Sequence, residues 1–94
     1  MRHIIHKDGR YNIYSTISDA PIFESGLSFA QIHGYLHNDV TRYWSDKNLK
    51  NLAFAKRKGT SEFNHVFSET IASNRAGPKE SNLSYDEFVE RFLS

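Results

Sequence analysis

Cysteine is absent from the 94 residues, which excludes a disulfide framework, a thiolate zinc site, a Cys-x-x-Cys redox pair and a cysteine nucleophile. The absence fits a reducing compartment. Glycine is sparse and never clustered. Gly9, Gly26, Gly34, Gly59 and Gly77 stand alone, so the chain holds no phosphate-cradling P-loop, no dinucleotide fingerprint and no strand-to-helix nucleophile elbow. Long apolar runs are missing as well. The first ten residues lack the run of roughly 7–15 apolar residues of a signal peptide, and no stretch approaches the ~20 needed to span a bilayer. These absences predict a soluble, cytoplasmic protein without a membrane partner. A large excess of charge of either sign is also lacking: 12 Lys and Arg face 11 Asp and Glu, unlike a protein that coats nucleic acid or mimics it.

Near-neutrality hides a polarised chain. Segment 41–59 carries Arg42, Lys47, Lys50, Lys56, Arg57 and Lys58 against Asp46 alone, whereas 60–94 carries six acidic residues against three basic ones. A chain of this length buries roughly two thirds of its unfolded surface, enough for one core but not two. Residues 1–94 are therefore expected to form a single domain.

The first third reads as sheet. His3–Lys7 and Tyr11–Ile17 are rich in β-branched and aromatic residues, and Asp8-Gly9 between them supplies the positive φ angles of a two-residue hairpin turn. On the second strand Tyr11, Ile13, Ser15 and Ile17 share one face, with Asn12, Tyr14, Thr16 and Ser18 on the other. A short third strand over Ile22–Glu24 is expected at an edge, where Pro21 is tolerated. Two strands are marginal alone, so helices must cover the apolar face.

The remainder reads as helix. Ser28 with Gln31 makes a capping box and Leu27 with Ile32 a hydrophobic staple. The apolar face of that helix is Phe29, Ile32, His33 and Leu36, with Val40 as a further member. Ser45 is the expected cap of a second helix over 46–58, with Trp44 and Leu49 as its staple and Gly59 as its stop. A third helix is expected to begin after Thr60 or Ser61, aligning Phe63, Val66, Phe67, Thr70 and Ile71, and to end where Asn74-Arg75-Ala76-Gly77-Pro78 cannot continue it. Residues 75–83 read as a long loop. Ser84 with Glu87 repeats the capping box, and Tyr85, Phe88, Val89, Phe92 and Leu93 form a seam. Strands first and helices after predict an α+β domain: an N-terminal antiparallel hairpin or three-stranded sheet covered by three to four helices.

The helix 46–58 carries the most suggestive chemistry. Lys47, Lys50, Phe54 and Lys58 fall in one sector about 80° wide, Arg57 borders it, and Leu49, Leu52, Ala53 and the Lys56 stem face away. Cations around an exposed aromatic suit an acidic protein partner, and also phosphate contact with base stacking. The plainer alternative is a solvated helix with Phe54 tucked against a neighbour beneath lysine stems.

Histidines raise a metal question. His33 and His37 are spaced i, i+4, as are His65 and Glu69, while His3 and His6 point to opposite faces of a strand. Two His on one helical face can share a Zn²⁺, but a full zinc site needs three or four protein ligands, and no His-Glu-x-x-His base is present. His33 lies on the apolar face, so a hydrogen-bonded core histidine is expected, with neither metal nor cofactor. His3, His6, Lys7 and Arg10, with Tyr14 and Asp19, are the materials of a metal-independent nuclease, but no catalytic motif assembles them. Segment Ser15–Pro21 is the loop whose polar groups are either specific or self-satisfying in a turn.

Residues Tyr11–Asp19, Gly59-Thr60-Ser61, Ser73–Gly77 and the ending Leu83–Leu93 together resemble small uncharacterised accessory proteins of tailed bacteriophages and prophages. The resemblance implies a protein that binds and redirects or inhibits a host protein, including host defence machinery. It carries no catalytic residue with it. The expectation is thus a non-enzymatic binding protein using Lys47, Lys50, Phe54, Arg57 and Lys58 against an acidic host surface. A nucleic-acid binder on the same helix and a small nuclease are the alternatives. Thirteen aromatics would also allow a homodimer that hides some of them.

Overall fold

The computed structural model describes residues 1–37 and 42–94, with the side chains of 42–46 excepted. The chain is an α+β protein in which, among the described residues, a three-stranded antiparallel sheet is followed by four helices. Strand β1 (Arg2–Lys7) pairs with β2 (Arg10–Ser15), and β2 pairs with the short β3 (Ala20–Pro21). Helices α1 (Phe29–His37), α2 (Arg42–Lys58), α3 (Phe67–Ile71) and α4 (Tyr85–Phe92) follow, with one tight turn at Pro78–Glu80 between the last two. None of the described helices is long and apolar enough to cross a membrane.

The hairpin forms as the sequence predicts. Lys7 pairs with Arg10 across Asp8 and Gly9, whose φ angles of 49° and 81° fit the turn that matches strand twist. Both faces of the sheet are covered, not the single face expected. Ile4, Tyr11 and Ile13 pack with Ile32, Leu36, Leu52 and Ala55 of α1 and α2. Ile5 and Tyr14 pack on the other side with Phe67, Ile71, Phe88, Phe92 and Leu93 of the α3–α4 half. Tyr14 explains the second layer, because its ring needs cover although its neighbours on that face are polar.

Asn12 sits at the junction of the halves with none of its surface exposed. Its amide donates to the carbonyls of Phe23 (3.0 Å) and Phe92 (2.9 Å), and its Oδ1 accepts from the backbone N–H of Ile13 (2.8 Å) and Phe23 (3.2 Å). The side chain fills all four bonding positions. It also accounts for the third strand, which ends at Pro21 and does not run over 22–24. Ile22 still donates to the Ile13 carbonyl (2.9 Å), but Phe23 bonds to the Asn12 side chain in place of a neighbouring backbone.

The helix caps divide between success and correction. Ser28 and Gln31 exchange the expected bonds (2.8 and 3.2 Å), and Ser84 Oγ accepts from the Glu87 N–H (3.3 Å). Helix α2 begins at Arg42, so Ser45 lies inside it. No glycine or proline stands between Arg42 and Ser45 to stop the helix there. The expectations for Val40 and for the Trp44 side chain lie outside the described residues. Helix α3 begins at Phe67, five or six residues later than expected, because residues 59–61 run along the free edge of β1. His6 N–H donates to the Gly59 carbonyl and Ser61 N–H to the Ile4 carbonyl, each at 2.8 Å. Phe67, Thr70 and Ile71 are buried as expected, while Phe63 and Val66 are exposed. His33 is exposed too, which corrects its assignment to the core.

The segment 75–83 is held as tightly as a regular element. Asn74 is buried, donates to the Ile71 (2.8 Å) and Leu83 (3.0 Å) carbonyls, and accepts from the N–H of Ala76 and Leu83. Asn82 adds bonds to the carbonyls of Ala72 and Asn74.

Candidate functional site

Gly59 sets the geometry of the surface that the sequence singles out. Its N–H donates to the Ala55 carbonyl (2.7 Å), and its φ of 97° turns the chain off α2 and onto the edge of β1. The loop that follows is pinned at its base. Ile4 N–H donates to Ser61 Oγ (2.8 Å), and the hydroxyls of Thr60 and Thr70 bond at 2.9 Å. Lys58 then reaches across, its Nζ donating to the carbonyls of Glu62 (2.6 Å) and Phe63 (2.7 Å). These bonds fix the loop while the Phe63 side chain points outward, with 80% of the residue exposed.

The Phe63 ring is not alone. It stacks nearly parallel on Phe54, with centres 6.3 Å apart and planes 12° from each other. Arg57 and Lys58 place their cations 5.1 and 4.7 Å from the Phe54 ring centre, within the range of a cation–π contact. Lys47, Lys50 and Arg57 are exposed, and Phe54 and Lys58 are half-buried. The five residues read from the helix period therefore share one side of α2 but have two jobs. Lys58 and Phe54 build the platform with Arg57 over the Phe54 ring, and Lys47 and Lys50 are exposed on earlier turns of the same helix. Phe63, which the sequence reading placed in a core seam, is the exposed aromatic. The core side of α2 is Leu52 and Ala55, and Ala53 and Lys56 are exposed, contrary to expectation.

The start of the acidic segment 60–94 contributes the Phe63 loop to this surface, but its acidic last helix does not cover it. Helix α4 packs on the sheet face opposite α2, and among the described residues no carboxylate pairs with Lys50 or Arg57.

Beside Phe63, the Glu62 carboxylate lies between two imidazoles, 3.4 Å from Nε2 of His3 and in contact with Nδ1 of His65. Burial lowers the pKa of His3, helped by the N-terminal ammonium and His65, and burial also lowers that of His6. A histidine that titrates lower when folded resists a proton that the unfolded chain accepts near pH ~6.5. Its stabilisation is complete above that pH and is lost as the pH falls from there through the folded-state value. Urea midpoints should therefore fall between pH 7 and pH 5, and a His3→Gln/His6→Gln variant should flatten that slope. An unchanged slope would show that other groups cause it.

The residues named for a nuclease do not converge. His6 stacks on Tyr11 (4.4 Å) on the α1–α2 side, and Lys7 lies 5.8 Å from the Tyr85 ring on the other side. Tyr14 is buried, its hydroxyl pushed up to about 12 by burial and then by Asp19. Glu62 meets both His3 and His65, yet among the described residues no group of three His, Cys, Asp or Glu side chains is arranged to hold a metal ion. A cleft with about 370 Å³ of empty space, partly open solvent, is lined by residues including Arg2, Ile4, Leu36 and Asn51, and by none of the candidate residues above.

No protein-family model matches the sequence, and no curated protein or solved structure matches the chain.

Proposed function

We propose that this protein is a non-enzymatic binding protein that engages an acidic protein surface through the exposed side of α2 and the adjoining Phe63 loop. One observation carries the reading: an almost fully exposed phenylalanine on a loop held by Lys58, stacked on Phe54 and bordered by cations. A fixed aromatic loses little conformational freedom on binding. Burial of such a ring in a partner's pocket is the usual form of an interface hot spot, and a cationic rim adds partner choice and faster encounter. The resemblance to phage and prophage accessory proteins points to a host protein as partner and to modulation or inhibition as outcome, in the host cytoplasm.

Reversing charge at Lys47, Lys50 and Arg57 while keeping Lys58 tests the electrostatic half. The Lys47→Glu/Lys50→Glu/Arg57→Glu variant should keep its melting temperature within a few degrees and lose at least tenfold in recovery of its partner from a host extract. Unchanged recovery would refute this placement of the interface. The exposed Phe63 ring, stacked on Phe54 beside Arg57, also favours a second reading, single-stranded nucleic acid. That reading predicts polarisation changes with labelled RNA or DNA that collapse as salt rises from 50 to 200 mM, and absence of binding at 50 mM ends it.

A further inference from the structure

The i, i+4 pair on α1 acquires a new meaning once His33 is seen outside the core. His33 and His37 stand one turn apart on the exposed side of the helix, with ring centres 6.3 Å apart and planes within 9°. Among the described residues, no hydrogen bond or ion pair occupies either imidazole. Phe29 contacts the His33 ring at 5.9 Å, and the Lys56 ammonium that approaches this row rests on Phe29, 5.0 Å from its centre. Two exposed imidazoles are thus presented side by side on one helix face.

We propose that His33 and His37 form a two-imidazole site for a borderline divalent transition-metal ion, of the class of Zn²⁺, Ni²⁺ or Cu²⁺. Side chains four residues apart on a helix have β-carbons about 5–6 Å from each other. Metal–nitrogen bonds of about 2.0–2.1 Å then bring both rings onto one ion after a modest tilt that exposed side chains make freely. Imidazole suits these metals and not the hard Mg²⁺ or Ca²⁺. No third protein donor joins the pair among the described residues, so water fills the other positions and the site stays open. The His3–Glu62–His65 group has similar donors, but both imidazoles there already contact the carboxylate.

Titration of the full-length, metal-free chain with ZnCl₂ and with NiCl₂, followed calorimetrically at neutral pH, tests the site. One ion should bind per chain, at least tenfold more weakly in His33→Ala or His37→Ala and with unchanged affinity in His65→Ala. Binding should also weaken in acid, because protons compete for the imidazoles. Alanine is the better helix former, so circular dichroism of both α1 variants should match the native chain. Three results would overturn the proposal: no saturable binding below millimolar metal, equal affinity in His33→Ala, or loss of the ion in His65→Ala.

Discussion

Replacing Asn12 by Asp should destabilise the fold by about 3–5 kcal/mol, although the two side chains have nearly the same shape. The native amide gives one N–H each to the Phe23 and Phe92 carbonyls in a fully buried position. The carboxylate keeps the acceptor oxygen facing the N–H groups of Ile13 and Phe23 but directs a second oxygen at two carbonyls. Both carbonyls then lose their donor at about 1–3 kcal/mol apiece, and a charge is buried beside them. Because a buried carboxyl without a cation titrates above its unfolded value, its burden is heaviest at neutral pH and lightens as the pH falls through the folded pKa. The gap in urea midpoint between variant and native chain should therefore narrow from pH 7 to pH 4. A gap below about 1 kcal/mol at pH 7 would mean that Asn12 does not join the halves of the fold.

Phe88→Ala should cost a similar amount, about 3–5 kcal/mol, by opening a cavity at the centre of the second core. Phe88 has no exposed surface and touches Tyr14, Phe67 and Phe92, with ring centres 6.2, 6.4 and 5.2 Å away. These rings tie α4 and α3 to the sheet, and Phe88 is the one that meets all three. At this chain length the loss corresponds to a fall in melting temperature of more than about 12 °C. The contrast with Phe63 makes the measurement decisive. Phe63→Ala removes the same atoms from a ring that is mostly in water, and its melting temperature should stay within a few degrees of the native value.

Features set by neighbours in sequence were legible, and features set by distant neighbours were not. The Asp8-Gly9 turn, the capping box at Ser28 and the Ser84 cap involve residues a few positions apart, so local sequence alone reveals them, although Glu87 bonds the Ser84 hydroxyl and not its N–H. Helix α3 starts later than its sequence suggests because Gly59–Ser61, although compatible with a helix start, gains backbone bonds to β1 more than fifty residues away. That displacement also hid Phe63, whose spacing to Val66, Phe67 and Thr70 imitates a helical seam. Asn12 gave no signal, since its partners at Phe23 and Phe92 are brought to it only by the finished fold. The basic side of α2 could be read from helical period, but the division between Lys58 as a loop support and Lys50 and Arg57 as exposed cations depends on the loop beyond Gly59.

The account stands on Phe63 as a binding anchor, and quantitative affinity capture tests it most directly. Native and Phe63→Ala chains of matched melting temperature would be used as bait in nuclease-treated extract of the cells in which the protein is naturally made, with recovered proteins measured by mass spectrometry. The account predicts a protein enriched by the native chain whose recovery falls at least tenfold with Phe63→Ala. Equal recovery by the two baits would contradict it.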